Sequence, residues 1–253
     1  MAAQKGFEYE KNASDFLKSK SLVDKNFRPA GAGHSQADLE VTHNKEVIDV
    51  ELKITAASGG SLVLKYFKDR PNGKKWDFDT IPSTDKEKQF LADLARQVGA
   101  LDKINKLWTN KPMKTNPQES NGIPKNKWYD IDKTNFDEIN ENIDAQYMAD
   151  YYEKKNTYYV NVGDRGFYIF GKKDPKRLNQ KLLKVGMSKI PSFADKASLK
   201  YRARVQSKGG GNYQYTFELS FSISTANKSP YNIAPIDGKS VNILENNFVN
   251  PFV

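Results

Sequence analysis

Two runs of alternating apolar and polar residues stand close together near the start of the chain. The first is Ala37-Asp38-Leu39-Glu40-Val41, and the second is Val47-Ile48-Asp49-Val50-Glu51-Leu52-Lys53-Ile54. The segment Thr42 to Glu46 between them contains His43-Asn44-Lys45, which supplies turn-forming chemistry. Period-two alternation on both sides of such a turn predicts a β-hairpin. Upstream, residues 7–20 place Ala13, Phe16 and Leu17 on one side and predict an amphipathic helix. A loop at 24–36 joins the two.

Further along, Ser61 to Tyr66 predicts a third strand after the flexible Ser58-Gly59-Gly60, and residues 68–76 carry a strong turn signal. Thr84-x-x-Glu87 has the form of a capping box. Phe90, Leu91, Leu94, Val98, Leu101, Ile104 and Trp108 then recur three or four apart, predicting one helix over 84–108. Residues 109–127, rich in Pro and Asn, read as a surface excursion. Phe136, Ile139, Ile143, Tyr147 and Tyr151 predict a helix over 135–153. Beyond Thr157 the pattern turns to strands. Residues 158–162 and 166–171 flank Gly163-Asp164-Arg165 as a hairpin, a short helix follows near Arg177 to Leu183, and Ser198 to Val205 pairs with Tyr213 to Ile223. The tail from Asn227 has little periodicity.

These elements predict an α/β fold in one domain over 1–253. Its parts are a core at 1–67, a largely helical insertion at 68–155, a β-rich completion of the sheet at 156–226 and an irregular tail at 227–253. Composition narrows the function. Lys and Arg number 40 against 31 Asp and Glu, a net charge of +9, and a basic surplus favours a polyanionic partner such as nucleic acid. Cysteine is absent, which excludes disulfides, thiolate nucleophiles and Cys-ligated zinc. With two histidines, a His-based zinc site is not expected. Met1 to Lys5 lacks an apolar run and no segment reaches membrane-spanning length, so a cytoplasmic protein with no membrane partner is expected.

The hairpin carries the candidate chemistry. Side chains two apart on a strand share a face, so Glu51 and Lys53 point the same way. If the first strand brings Asp38 to that end, two carboxylates and one ammonium converge. Close carboxylates call for a cation, and hard oxygen ligands suit Mg²⁺. The lysine can then orient or help deprotonate an attacking water.

Asp38…Glu51-x-Lys53 resembles the signature of the PD-(D/E)XK, or restriction-endonuclease-like, nuclease superfamily, with Ala37 where a proline is usually written. The helix carrying Gly6-Phe7-Glu8-Tyr9-Glu10 resembles that family's first helix, whose glutamate often completes the metal site. Its Gly-x-x-x-Glu spacing is similar to Holliday-junction resolvases and favours Glu10, with Glu8 the alternative. Arg28 to Gln36 likewise resembles the small-residue loop before the aspartate in those resolvases. The resemblance covers about the first quarter of the chain. It implies a mixed β-sheet core flanked by helices, with the helical insertion and C-terminal hairpins as additions. It also implies Mg²⁺-dependent hydrolysis of DNA phosphodiesters, Mn²⁺ substituting. Asp38, Glu51 and Glu10 are then the metal ligands, and Lys53 orients the water that attacks phosphorus in line. Restriction-type cleavage of duplex DNA by a homodimer is the favoured outcome. Junction resolution and a catalytically silent nucleic-acid-binding protein are the rivals.

Other residues bear on substrate. Arg28, His34, Ser35 and Gln36 are candidate DNA contacts around the loop. Lys200, Arg202 and Arg204 alternate along one strand face and Lys208 follows in the next loop. That stripe can track a phosphate backbone or be a solvated face partly paired with Glu218. Lys172, Lys173, Lys176 and Arg177 form a further basic cluster. Asp49 shares the face of Glu51, as a third ligand or as a neighbour that raises a pKa. Gly166 to Lys172 has Walker-type spacing but a bulky, strand-forming interior and no following Ser or Thr, so no phosphate loop is expected there.

Overall fold

The structure, a computed structural model, describes residues 2–28, 37–55, 57–67, 76–78, 80–82, 84–108, 139–163, 165–209, 212–234 and 250–252. Its elements in chain order are α1 (Ala2–Ser19), β1 (Leu39–His43), β2 (Glu46–Lys53), β3 (Ala57–Tyr66), β4 (Trp76–Phe78), α2 (Lys86–Gln97) and α3 (Ala100–Trp108). There follow β5 (Ile139–Ile143), α4 (Ala145–Lys154), β6 (Tyr159–Val162), β7 (Gly166–Ile169), α5 (Leu178–Lys184), β8 (Lys196–Gly209) and β9 (Asn212–Ser224). The fold is mixed α/β with two sheets and helices, and the chain divides into two compact units. One comprises 1–58, 144–197 and 222–253, and the other 59–143 and 198–221.

The first unit holds a mixed sheet in the order β1-β2-β6-β7. β1 and β2 pair antiparallel from Leu39↔Val50 to His43↔Glu46. Asn44 and Lys45 between them have φ of 51° and 66°, the two positive values that a tight hairpin turn needs to match strand twist. Alternation then sends Ile48, Val50 and Leu52 to one face, where they are buried with Tyr9, Ala13 and Leu17, four apart on α1. Each such aliphatic side chain removed from water contributes about 1.5–3 kcal/mol. β6 lies parallel to β2, Val50↔Tyr159 to Lys53↔Val162, and all its residues are buried, as expected for a parallel strand covered on both faces. The β6–β7 hairpin forms as the sequence predicts, Val162 opposite Gly166. The Walker-like spacing there is indeed strand.

The described part of the tail is irregular, exposed at 227, 228 and 230 and buried at 231–234 and 250–252. Tyr231, Ile233, Ala234 and Phe252 join the core of the first unit. Fully buried Asn161 of β6 holds this segment, donating to the Tyr9 hydroxyl (2.9 Å) and to Asn232 (3.0 Å) while accepting from the Ile233 amide (3.1 Å). Tyr9 in turn donates to the Ala234 carbonyl at 3.3 Å. A satisfied buried network of this kind fixes where α1 lies on the sheet.

The second unit holds a sheet in the order β4-β3-β9-β8-β5. Asn105 of α3 accepts from the Trp76 amide and donates to the Trp76 carbonyl, both at 2.8 Å, which pins β4 to the helix. The Trp76 ring meets Phe217 edge-on at 4.6 Å.

Several expectations need correction. The helix predicted over 84–108 is two helices, broken where Gly99 takes φ +70°, a backbone state that ends a helix at little cost for glycine. The cap is Asp85, accepting from the Lys88 amide at 3.0 Å, rather than Thr84. Within 135–153, residues 139–143 are strand and α4 starts after Asp144, which caps it through the Gln146 amide. Spacing by four fits both helix and strand periods, so Ile139 and Ile143 did not discriminate. The third strand begins at Ala57, earlier than predicted, and the surface excursion at 109–127 lies outside the described residues. β6 and β7 complete the first sheet, whereas β8 and β9 belong to the second.

Candidate active site

The site grows from the first hairpin. Asp38 stands just before β1, and its Oδ2 accepts the Leu52 amide at 2.9 Å, locking the carboxylate against the end of β2. Lys53 Nζ lies 2.6 Å from Glu51 Oε1 and 3.5 Å from Asp38 Oδ2. The three side chains predicted to converge therefore meet on one ammonium. Glu51 is only 7% exposed, and the Lys53 carbonyl accepts the Gly163 amide at 2.8 Å, holding that end of β2 to the β6–β7 turn.

α1 adds Glu10. Its neighbour Tyr9 is anchored in the Asn161 network, so the helix presents Glu10 half-buried toward the hairpin end while Glu8 remains exposed. Burial, with the charges of Asp38 and Glu51 and against that of Lys53, pushes the Glu10 carboxyl up to about 7. Glu51 is likewise raised, by burial first and by Asp38, against the pull of Lys53. Burial opposes the Lys53 ammonium, yet Glu51 and Asp38 outweigh it and hold its pKa above the usual lysine value. Lys53 thus stays cationic at neutral pH, which suits orienting a water or a phosphate oxygen rather than removing a proton.

This donor set fits a hard divalent cation. Three carboxylates act on one another across a site with one lysine among them, and their mutual repulsion is visible in Glu10. Among the described residues no group of three or more His, Asp or Glu side chains is placed to hold a metal ion. Mg²⁺ does not require one, because it is commonly held by one or two carboxylates with water and substrate phosphate in its other positions. Asp38 and Glu51 are the pair that can hold such an ion, with Glu10 beside them.

The other expected residues fall in several places. Arg28 is exposed, and His34, Ser35 and Gln36 lie outside the described residues. Lys200 and Arg202 lie on β8 in the second unit, where Arg202 pairs with Glu218 at 2.8 Å, so its charge is already partly committed. β8 also carries Arg204 and Lys208, whose side chains lie outside the described residues. Lys208 is on the strand rather than in a loop. Asp49 shares the Glu51 face and accepts from Asn156 at 3.4 Å. Its pKa is raised by burial, against Lys176 and Asn156. Lys173 is ion-paired with Glu153. Sequence reasoning missed Lys155, whose charge bears on Glu51. It belongs to no motif, and only the packing of α4 brings it there.

No family model matches the chain, and no curated protein matches it. A solved structure of the HhaI endonuclease in complex with DNA is similar over 88% of this chain and 92% of that one, at 12% identity and a TM-score of 0.38. Similarity at that level is loose. Among the described residues no helix is long and apolar enough to cross a membrane.

Proposed function

We propose that this protein is a divalent-metal-dependent endonuclease that hydrolyses DNA phosphodiester bonds, cutting duplex DNA in restriction fashion. The observation that carries the reading is the convergence of Asp38 and Glu51 on Lys53, deep enough that Glu51 is buried. A merely solvated strand face would leave these charges in water and would not bring a helix carboxylate into their field.

Asp38 and Glu51, assisted by Glu10, would hold Mg²⁺ or Mn²⁺. When bound, the ion supplies Lewis-acid stabilisation of the charge that develops on the phosphodiester oxygens. Asp38 is kept in place by the Leu52 amide. Glu51 is kept by Lys53, and burial lets its charge act in a medium of low polarity. Lys53 remains an ammonium and orients the attacking water in line with phosphorus. The basic surplus of the chain, with Lys200 and its neighbours on β8, attracts the DNA backbone. Two strands must be cut in a duplex, so the working form is a homodimer.

The test is incubation with plasmid, linear and four-way-junction DNA, in Mg²⁺ or EDTA, alongside Glu51→Ala and Lys53→Ala. Discrete duplex fragments formed only with Mg²⁺ and lost in both variants are expected. Selective cutting of the junction reassigns the substrate, and tight DNA binding with no cutting in any metal removes the enzyme.

A further inference from the structure

The geometry points to a second DNA contact in the first unit, where Arg165 and Lys228 bind backbone phosphates a short way along the strand from the scissile bond. This rests on the endonuclease reading and deepens it. β6 runs parallel to β2 with Val162 opposite Lys53, and the Gly163 amide donates to the Lys53 carbonyl at 2.8 Å. The β6–β7 turn therefore stands at the same end of the sheet as Asp38, Glu51 and Lys53. Arg165 belongs to that turn, its amide donating to the Val162 carbonyl at 2.8 Å. Neighbouring strands lie about 4.8 Å apart, which puts the turn roughly 5–10 Å from the Lys53 backbone. A DNA strand rises about 3.4 Å per nucleotide, so that span covers about two or three phosphates.

The tail brings Lys228 to the turn. The Ser229 amide is shared between the Arg165 carbonyl at 2.9 Å and the Tyr168 hydroxyl at 3.0 Å. Arg165 Nη1 donates to the Thr225 and Ala226 carbonyls at 3.2 and 3.4 Å, fixing the guanidinium through one nitrogen. Among the described residues Nε and Nη2 donate to nothing. A planar fork held this way is pre-organised for phosphate oxygens. Lys228 is exposed and, among the described residues, in no ion pair. By sequence the patch counts three cations, Arg165, Lys196 and Lys228, against Asp164 and Asp195, and Asp195 accepts the Ala226 amide at 3.3 Å. The catalytic centre has the opposite balance. Lys53 is engaged by two carboxylates, so phosphates flanking the scissile one are held from outside it, and the turn is the adjoining basic surface.

The experiment measures binding of a short mixed-sequence duplex across a salt series, in Ca²⁺ and in EDTA. Compared are wild type, Arg165→Gln, Lys228→Gln, the double variant and Lys184→Gln. Lys184 is an exposed control, three residues past Lys181, which pairs with Glu46 at the opposite end of β2. Each single variant at the turn should bind more weakly, with a slope of log K against log salt shallower by about 1, and the double variant by about 2. Lys184→Gln should keep the wild-type slope. Lys228→Gln removes an exposed side chain, so its slope cannot be explained by a loosened tail. An unchanged slope in either single variant, with wild type binding normally, would overturn this inference alone, as would an equal change in Lys184→Gln. Absence of duplex binding by wild type would bring down the endonuclease reading, and this inference with it.

Discussion

Glu10 sits half-buried between its own helix and two other carboxylates, and its pKa near 7 reflects burial first and the charge of Asp38 second. The folded protein therefore binds this proton more tightly than the unfolded chain does. The resulting stability is complete below the ordinary carboxyl range and is lost as pH rises through about 7. In metal-free protein, Glu10→Gln should raise the melting temperature at about pH 8 by a few degrees, on the order of 2–4 °C per kcal/mol, and change it little at about pH 5. His43, with its pKa lowered by burial and Lys181, titrates in the opposite sense. The difference between variant and wild type is accordingly the quantity to read. Lys53 is the second residue to probe. Lys53→Met leaves Glu51 and Asp38 without their ammonium and should lower stability by about 2–4 kcal/mol, most of it recovered in Lys53→Met/Glu51→Gln. Urea unfolding of the two single variants and the double variant checks this. Additive losses would mean that the ion pair carries no coupling.

Two glycines separate local from tertiary causes among the elements. Gly99, at φ +70°, has no neighbour within 4 Å of an added Cβ. At Gly166 an added Cβ would sit 2.2 Å from the Tyr231 carbonyl oxygen, because the tail crosses there and that carbonyl accepts the Phe167 amide. Gly99→Ala should cost about 1–2 kcal/mol, the left-handed penalty alone, whereas Gly166→Ala adds overpacking of about 1–3 kcal/mol and displaces the tail. Thermal unfolding of the pair decides, with equal losses counting against the tight crossing. The same contrast explains what the sequence could convey. The first hairpin was legible because alternation and Asn44-Lys45 act locally, and Asp38, Glu51 and Lys53 could be placed together from it. Glu10 followed from a motif on a helix. The parallel pairing of β2 with β6 joins Val50 to Tyr159 across the intervening chain, and no local pattern encodes that partner. Lys155 depends on that pairing and on α4, so it was invisible. Gly99 was visible as a glycine, but the apolar repeat running past it concealed the break.

At the scale of the molecule, an excess of carboxylates over lysine in a buried site should make the fold sensitive to divalent ions. Ligand that binds only the folded state stabilises it by mass action, about 2.7 kcal/mol at a hundred times Kd. Mg²⁺ should therefore raise the melting temperature of wild type at about pH 8 and have much less effect on Glu51→Gln. An equal shift in both would place the ion elsewhere. Whether this carboxylate–lysine centre cuts DNA is read from single-turnover cleavage against Mg²⁺ concentration. The rate should rise with Mg²⁺ and saturate in wild type, disappear in EDTA, and fall by about 10²–10³-fold in Lys53→Met, the range for losing one preorganised donor. Cutting that persists in EDTA, or that proceeds at the wild-type rate in Lys53→Met, would contradict cleavage by this centre.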